Sequence, residues 1–132
     1  MEIVVDSSVV IAVVANQPER NTLLRLTQEA DLLAPPAVHW QIGSAFAAML
    51  KRGRITVGQA VQTVQLYRQI PIRWVEVELE EALKMADELG VSAYDAYLIR
   101  CALKYKAPLL SLDRELIHAA KRAKARAIEV VP

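Results

Sequence analysis

Two patterns of apolar residues alternate along the chain. One is a short unbroken run, and the other is a longer stretch in which apolar residues recur at helical spacing. The run at residues 3–5 is continuous, which is typical of a strand that is buried on both faces. Ile42, Phe46 and Met49 belong to a stretch in which apolar residues recur every three or four positions, as on one face of a helix. The pattern predicts strands at residues 3–5, 32–34, 72–77, 108–112 and 127–131. It predicts helices at about residues 8–14, 18–30, 42–52, 57–70, 79–89, 93–105 and 114–122.

Strands and helices therefore alternate from end to end. This order favours an α/β fold of three layers, a mostly parallel central sheet with helices on both faces. No repeat or linker interrupts the pattern, so 1–132 is read as a single domain. In such sheets a binding site lies outside the carboxyl ends of the strands, where the strand order reverses.

Three aspartates are candidates for that edge. Asp6 directly follows the first strand, Asp113 follows the strand at 108–112, and Asp95 lies in the segment SAYD. A parallel sheet would bring them together, although they are far apart in sequence. Converging carboxylates are costly unless a divalent cation neutralises them. We therefore predict a metal site formed by Asp6, Asp95 and Asp113, and with it metal-dependent hydrolysis.

Helix capping is the competing interpretation for each acid. Asp113 is a natural N-cap, and Asp95 fits the third helical position of a capping box that starts at Ser92. Asp6 could cap the first helix, but Ser7 and Ser8 are also adequate caps. Three independent caps would have no reason to converge, whereas metal ligands would. One oxygen of a capping carboxylate also remains available for a metal ion.

The type of ligand favours magnesium or manganese over zinc. Carboxylates and hydroxyls are hard oxygen donors, and the two histidines are isolated in the sequence. The single cysteine excludes a thiolate zinc cage and an internal disulfide. A reducing cytosol is the simplest compartment, because no apolar run reaches membrane-spanning length and no basic segment precedes the first strand.

Positive charge is local, since the net charge is only +1. Charge runs are usually solvated faces, which is the favoured interpretation of both basic clusters; the functional alternative is phosphate contact with a nucleic acid. Arg114 has the best claim to the site, because it adjoins Asp113. The first cluster comprises Lys51, Arg52 and Arg54, and the second comprises Arg114, Lys121, Arg122, Lys124 and Arg126.

An ordered set of motifs resembles the PIN domain, and specifically the VapC-type toxins of toxin–antitoxin pairs. The motifs are VVDSS at 4–8, APP at 34–36, HWQIGSA at 39–45, KRGRIT at 51–56, SAYDAY at 92–97 and PLLSLD at 108–113. The resemblance covers nearly the whole chain. It implies a magnesium- or manganese-dependent endoribonuclease that forms a homodimer and is inhibited by a VapB-type antitoxin.

The resemblance also assigns roles to individual residues. It makes Asp6, Asp95 and Asp113 the acidic ligands, and Ser7 and Ser111 the hydroxyls that support them. Where the family pattern carries a glutamate, this chain has Gln41. Loss of that charge should weaken metal binding and water activation.

Three origins of Gln41 stay open: a naturally weakened enzyme, an inactivating substitution, or a homologue that binds RNA without cutting it. The second function considered is therefore a catalytically disabled module that binds RNA or protein. A receiver-type signalling domain is a more distant alternative, because the chain lacks the expected phosphoacceptor Asp and the late Lys.

Overall fold

A five-stranded sheet forms the centre of the computed structural model, which describes residues 1–130. The strand order is β3-β2-β1-β4-β5, and all four pairings are parallel. This confirms the predicted α/β class and the parallel sheet. The strands are β1 (Glu2–Val5), β2 (Asp31–Ala34), β3 (Ile72–Trp74), β4 (Leu109–Leu110) and β5 (Ala127–Ile128).

Helices flank the sheet and connect its strands. Those of residues 1–130 are α1 (Ser7–Val14), α2 (Arg20–Thr27), α3 (Ala37–Lys51), α4 (Val57–Tyr67), α5 (Leu79–Leu89), α6 (Ala93–Tyr105) and α7 (Arg114–Arg122). Thr56 and Gln59 form a complete capping box at the start of α4, and Ser92 caps α6 as the sequence predicts. Within the described residues, no helix is both long and apolar enough to cross a membrane.

Three strands are shorter than predicted. The strand expected at 72–77 ends at Trp74, because its partner β2 runs into Pro35, which has no N–H to extend the ladder. The strand expected at 108–112 pairs only through Leu109–Leu110. The last strand, expected at 127–131, is Ala127–Ile128, and residue 131 lies outside the described part of the chain.

The order of the strands fixes where a site can form. β1 is the central strand, and Val4 and Val5 are fully buried. The chain leaves β1 towards β2 and β3 on one side, then crosses to β4 and β5 on the other. The strand order therefore reverses between β1 and β4, whose carboxyl ends lead into Asp6 and Ser111.

Candidate active site

Asp6 is the buried acid at this reversal point, with 5% of its surface exposed. It is the N-cap of α1, and its Oδ1 accepts the Val9 N–H at 3.2 Å. The expectation that Ser7 or Ser8 caps this helix was therefore wrong. The carboxylate has the cap position because the extended backbone at Asp6 aims its side chain at the first turn.

Two serine hydroxyls hold Asp6 in place. Ser8 Oγ donates to Asp6 Oδ1 at 2.6 Å, and Ser111 Oγ donates to Asp6 Oδ2 at 2.6 Å. Both hydroxyls also accept backbone N–H groups from the β4–α7 segment: Leu112 donates to Ser8 and Asp113 donates to Ser111. These bonds tie β1 to the segment that follows β4 and carries the second acid.

Ser8 takes the place that the resemblance gave to Ser7. The hydroxyl that bonds Asp6 belongs to Ser8, while Ser7 is the first residue of α1. A side chain two positions after the N-cap is one that can reach back to it. That spacing is the signal in the sequence that could have identified Ser8.

Asp113 and Asp95 approach from two other helices. Asp113 is the N-cap of α7, and its Oδ1 accepts the N–H groups of Glu115 and Leu116 at 3.0 and 3.2 Å. Asp95 lies in the first turn of α6, so it does not end a strand, and its N–H donates to Ser92 Oγ at 3.2 Å. This bond is one half of the predicted capping box. The other half, a bond from the Ser92 N–H to the Asp95 carboxylate, is absent from the hydrogen bonds of residues 1–130, so that carboxylate is not used as a cap.

The acids interact electrostatically. Burial raises the pKa of Asp6, the bonds from Ser111, Ser8 and the Val9 N–H oppose this rise, and the charge of Asp113 adds to it. Burial is also the main cause of a raised pKa of Asp95. The negative charges of Asp113, Asp6 and Glu115 raise it further, in decreasing order. Asp6, Asp95 and Asp113 therefore lie within range of one another's charge at this edge of the sheet. The structure adds Glu115, which sequence reasoning missed although it follows Asp113 by two positions in the same first turn.

The oxygen atoms left free in this site suit a hard cation. Asp6 Oδ2 accepts one hydrogen bond and Asp113 caps only through Oδ1, so each keeps acceptor capacity. Carboxylate oxygens are the ligands of magnesium and manganese. Across residues 1–130, however, no three His, Cys, Asp or Glu side chains lie close enough to bind an ion directly. A magnesium ion that keeps several of its waters needs only one or two direct carboxylates, so the donor set fits such an ion.

Two clefts adjoin the acidic site. One has a volume of about 810 Å³ and contains Ser111, and the other has a volume of about 560 Å³ and contains Asp95 and Glu115. Arg114 and His118 line both clefts. The structure thus places Arg114 beside the acids. The sequence analysis treated His118 only as an isolated histidine, although its spacing of four from Arg114 puts both on one helix face.

The remaining predicted site residues lie on α3 and just beyond it. Gln41 is partly buried in the second turn, close to the edge where β2 ends. Lys51, Arg52 and Arg54 are exposed at the other end of this helix. At 1.5 Å per residue they lie roughly 20 Å from its start, so the structure does not bring this basic cluster to the acids.

Fold and site together define a parallel α/β domain with a carboxylate site at the reversal of strand order. The chain belongs to the PIN domain family, which it matches over residues 3–122. This membership removes the receiver-type alternative. A search of curated proteins found no match to the chain.

Two solved structures share the fold. PAE2754 from Pyrobaculum aerophilum is 23% identical, covers 96% of this chain and 92% of its own, and superposes with a TM-score of 0.74. The VapC20 toxin of Mycobacterium tuberculosis, described as cleaving the sarcin-ricin loop, is 18% identical. It covers 98% of this chain and 99% of its own, with a TM-score of 0.65.

Proposed function

We propose that this protein is a metal-dependent endoribonuclease and the toxin of a VapC-type toxin–antitoxin pair. The observation that carries the proposal is that Ser111 joins Asp6 to Asp113 at the reversal point of a PIN domain, with Asp95 in range of their charges. The similarity to a toxin described as cleaving RNA supports the substrate class. The predicted VapB-type antitoxin, the homodimer and the cytosolic location belong to the same proposal.

The cofactor that we propose is Mg²⁺, or Mn²⁺, at the site of Asp6, Asp95 and Asp113, with one or two of these carboxylates as direct ligands and the other contacts through water. When bound, such an ion would stabilise the charge that develops on a phosphodiester oxygen and lower the pKa of a bound water. Burial is the main cause of the raised pKa values of Asp6 and Asp95, and the charges of neighbouring acids add to it; a bound cation would offset both effects. Ser8 and Ser111 keep Asp6 oriented, and we assign Ser7 no separate contact.

Arg114 is the residue that we propose for substrate binding. It is exposed, lines both clefts and follows Asp113 directly, so a phosphate at the acids would lie within its reach. His118 shares these clefts and is a second candidate. Lys51, Arg52 and Arg54 would contact only a distant part of a longer RNA. Replacing Arg114 with Ala should reduce RNA affinity and the steepness of its salt dependence.

Gln41 is the observation that favours the second function, a PIN module that binds RNA or protein without cutting it. An amide oxygen can still ligate a metal ion, but it contributes no charge. We expect Gln41→Glu to raise both metal affinity and cleavage rate. Unchanged values for both would remove Gln41 from the site.

The deciding experiment is cleavage of a mixed RNA pool by the purified protein with magnesium, manganese or a chelator. Asp6→Asn is compared with Asp31→Asn as a matched control, because Asp31 is exposed at the start of β2, on the opposite edge of the sheet. Cutting that needs metal, is lost in Asp6→Asn and persists in Asp31→Asn supports the nuclease. Absence of cutting by both wild type and Gln41→Glu would reject it in favour of the binding module.

A further inference from the structure

Both tryptophans of the chain lie at the surface and belong to one aromatic cluster. Trp40 is 69% exposed and Trp74 is 41% exposed. The ring centroid of His39 lies 4.7 Å from that of Trp40 and 5.8 Å from that of Trp74, with both indole planes steeply inclined to the imidazole plane, at 77° and 85°. Tryptophan is usually largely buried, so two exposed indoles held together indicate a binding role.

The cluster is anchored to the core. His39 Nδ1 lies 2.7 Å from the hydroxyl oxygen of Tyr67, whose side chain is only 4% exposed. Trp74 is further fixed by the pairing of β3 with β2. His39 and Trp74 are thus positioned before any ligand arrives, which lowers the entropic cost of binding.

The aromatic cluster shares the edge of the sheet with the acidic site. Trp74 pairs with Ala34 in β2, and the register of β2 with β1 puts Val5 at the same level. Asp6 follows Val5, so Trp74 and Asp6 are separated by two inter-strand spacings, roughly 10 Å between their backbones. Trp40 lies in the first turn of α3, which starts from the same edge.

A cation lies beside this cluster. Arg68 directly follows Tyr67 in the chain and is the C-cap residue of α4. Arg68 is exposed, and no carboxylate of residues 1–130 forms a salt bridge with it. Exposed aromatic faces next to a free guanidinium are complementary to a nucleobase and its phosphate.

We propose that Trp40, Trp74 and Arg68 form a subsite for one unpaired nucleotide of the RNA. The base stacks on an indole face, and Arg68 contacts a backbone phosphate. This proposal rests on the proposed function, because its ligand is RNA. The distance of the subsite from Asp6 puts it within a few nucleotides of the scissile phosphate. Stacking does not distinguish bases strongly, so this subsite requires a single strand more than a particular sequence.

Intrinsic fluorescence tests the subsite directly, because both tryptophans of the chain belong to it. The full-length Asp6→Asn protein is titrated with a short oligouridylate in magnesium, and in parallel with an abasic ribose-phosphate oligomer of equal length. We expect saturable quenching by the oligouridylate only. Trp40→Ala or Trp74→Ala should weaken binding about tenfold, whereas the corresponding Phe variants should retain most of the affinity.

Leu83→Ala is the matched control, because Leu83 is a large apolar side chain on α5 that is 55% exposed. It should leave RNA affinity unchanged, and circular dichroism verifies that each variant is folded. Arg68→Ala should weaken binding and reduce its salt dependence. Wild-type affinity in both Trp→Ala variants, without quenching, would overturn the subsite and indicate a protein contact for the exposed indoles.

Failure of the subsite and failure of the nuclease are separable. If wild type cleaves RNA in a metal-dependent manner but the Trp variants bind and cleave normally, only the subsite is rejected. If no variant cleaves but oligouridylate binding still depends on Trp40 and Trp74, the subsite stands and the nuclease is rejected.

Discussion

Ser111→Ala is the sharpest test of the hydrogen-bond network at the site. Ser111 is 3% exposed, and its hydroxyl donates to Asp6 Oδ2 at 2.6 Å and accepts the Asp113 N–H at 2.9 Å. Alanine removes one oxygen atom without adding bulk. Two bonds are lost at once, and one buried carboxylate loses a donor.

The magnitude follows from these two contacts. A hydrogen bond to a charged group contributes about 1.5–3 kcal/mol, and a backbone N–H left without a partner costs about 1–3 kcal/mol. The Asp113 N–H is only partly buried, so water can replace part of the second loss. We expect the free energy of unfolding to fall by about 2–4 kcal/mol, which lowers Tm by roughly 10 °C for a domain of this size.

The loss should depend on pH. Burial raises the pKa of Asp6 while the bond from Ser111 opposes that rise, so the pKa is higher still in Ser111→Ala. The folded variant therefore holds the Asp6 proton up to a higher pH than the folded wild type does. Its stability relative to wild type improves as pH falls, so the destabilisation is largest at neutral pH and shrinks as Asp6 becomes protonated in both proteins.

The assay is urea unfolding of wild type, Ser111→Ala and Ser7→Ala at pH 7 and at a mildly acidic pH. Ser7→Ala is the control, because its hydroxyl does not bond Asp6, and its effect should stay within about 0.5 kcal/mol. A loss for Ser111→Ala that is equal at both pH values, or no larger than that of Ser7→Ala, would refute the proposed network.

Three further predictions concern charge and backbone conformation. Asp95→Asn should raise Tm at pH 7, because the raised pKa of Asp95 means that its charge destabilises the folded state; thermal melts at pH 3 should show no gain. Glu78 bonds Lys104 and Arg100, and its pKa is lowered to about 2, so the stabilisation by its charge is complete above pH 4.5 and lost as pH falls to about 2. Glu78→Gln should therefore lower Tm at pH 7 but not at pH 2. Gly90→Ala should lower the free energy of unfolding by about 1 kcal/mol, because Gly90 ends α5 at φ +67°. Gly43→Ala, inside α3, should instead raise it by up to about 1 kcal/mol. Calorimetry that ranks the two variants the other way would contradict this.

The fold was predictable because periodicity and alternation act over long stretches. Every predicted helix and strand exists, and the parallel sheet follows from their alternation. The ends of strands were less predictable, because a strand extends only as far as its neighbour pairs with it. β3 stops where β2 reaches Pro35, and that partnership cannot be read from residues 72–77 alone.

The convergence of Asp6 and Asp113 at one edge of the sheet was predictable, but the hydrogen bonds around them were not. Asp6 and Asp113 follow strands that the pattern identifies, so their convergence follows from the sheet order. The choice of Ser8 over Ser7 depends on how α1 turns away from the strand, and Glu115 enters only through the effect of its charge on the pKa of Asp95. Such details are set by backbone direction at helix starts, which residue spacing describes only approximately.

Capping and metal binding were posed as alternatives for each aspartate, but the geometry makes them compatible. Asp6 and Asp113 both cap helices, and each does so through Oδ1. Capping fixes the carboxylate against rotation, while Oδ2 keeps capacity to accept another ligand. Two helix starts and two strand ends thus hold the acids in place without long side chains, and their mutual repulsion is the destabilisation that a bound cation would relieve.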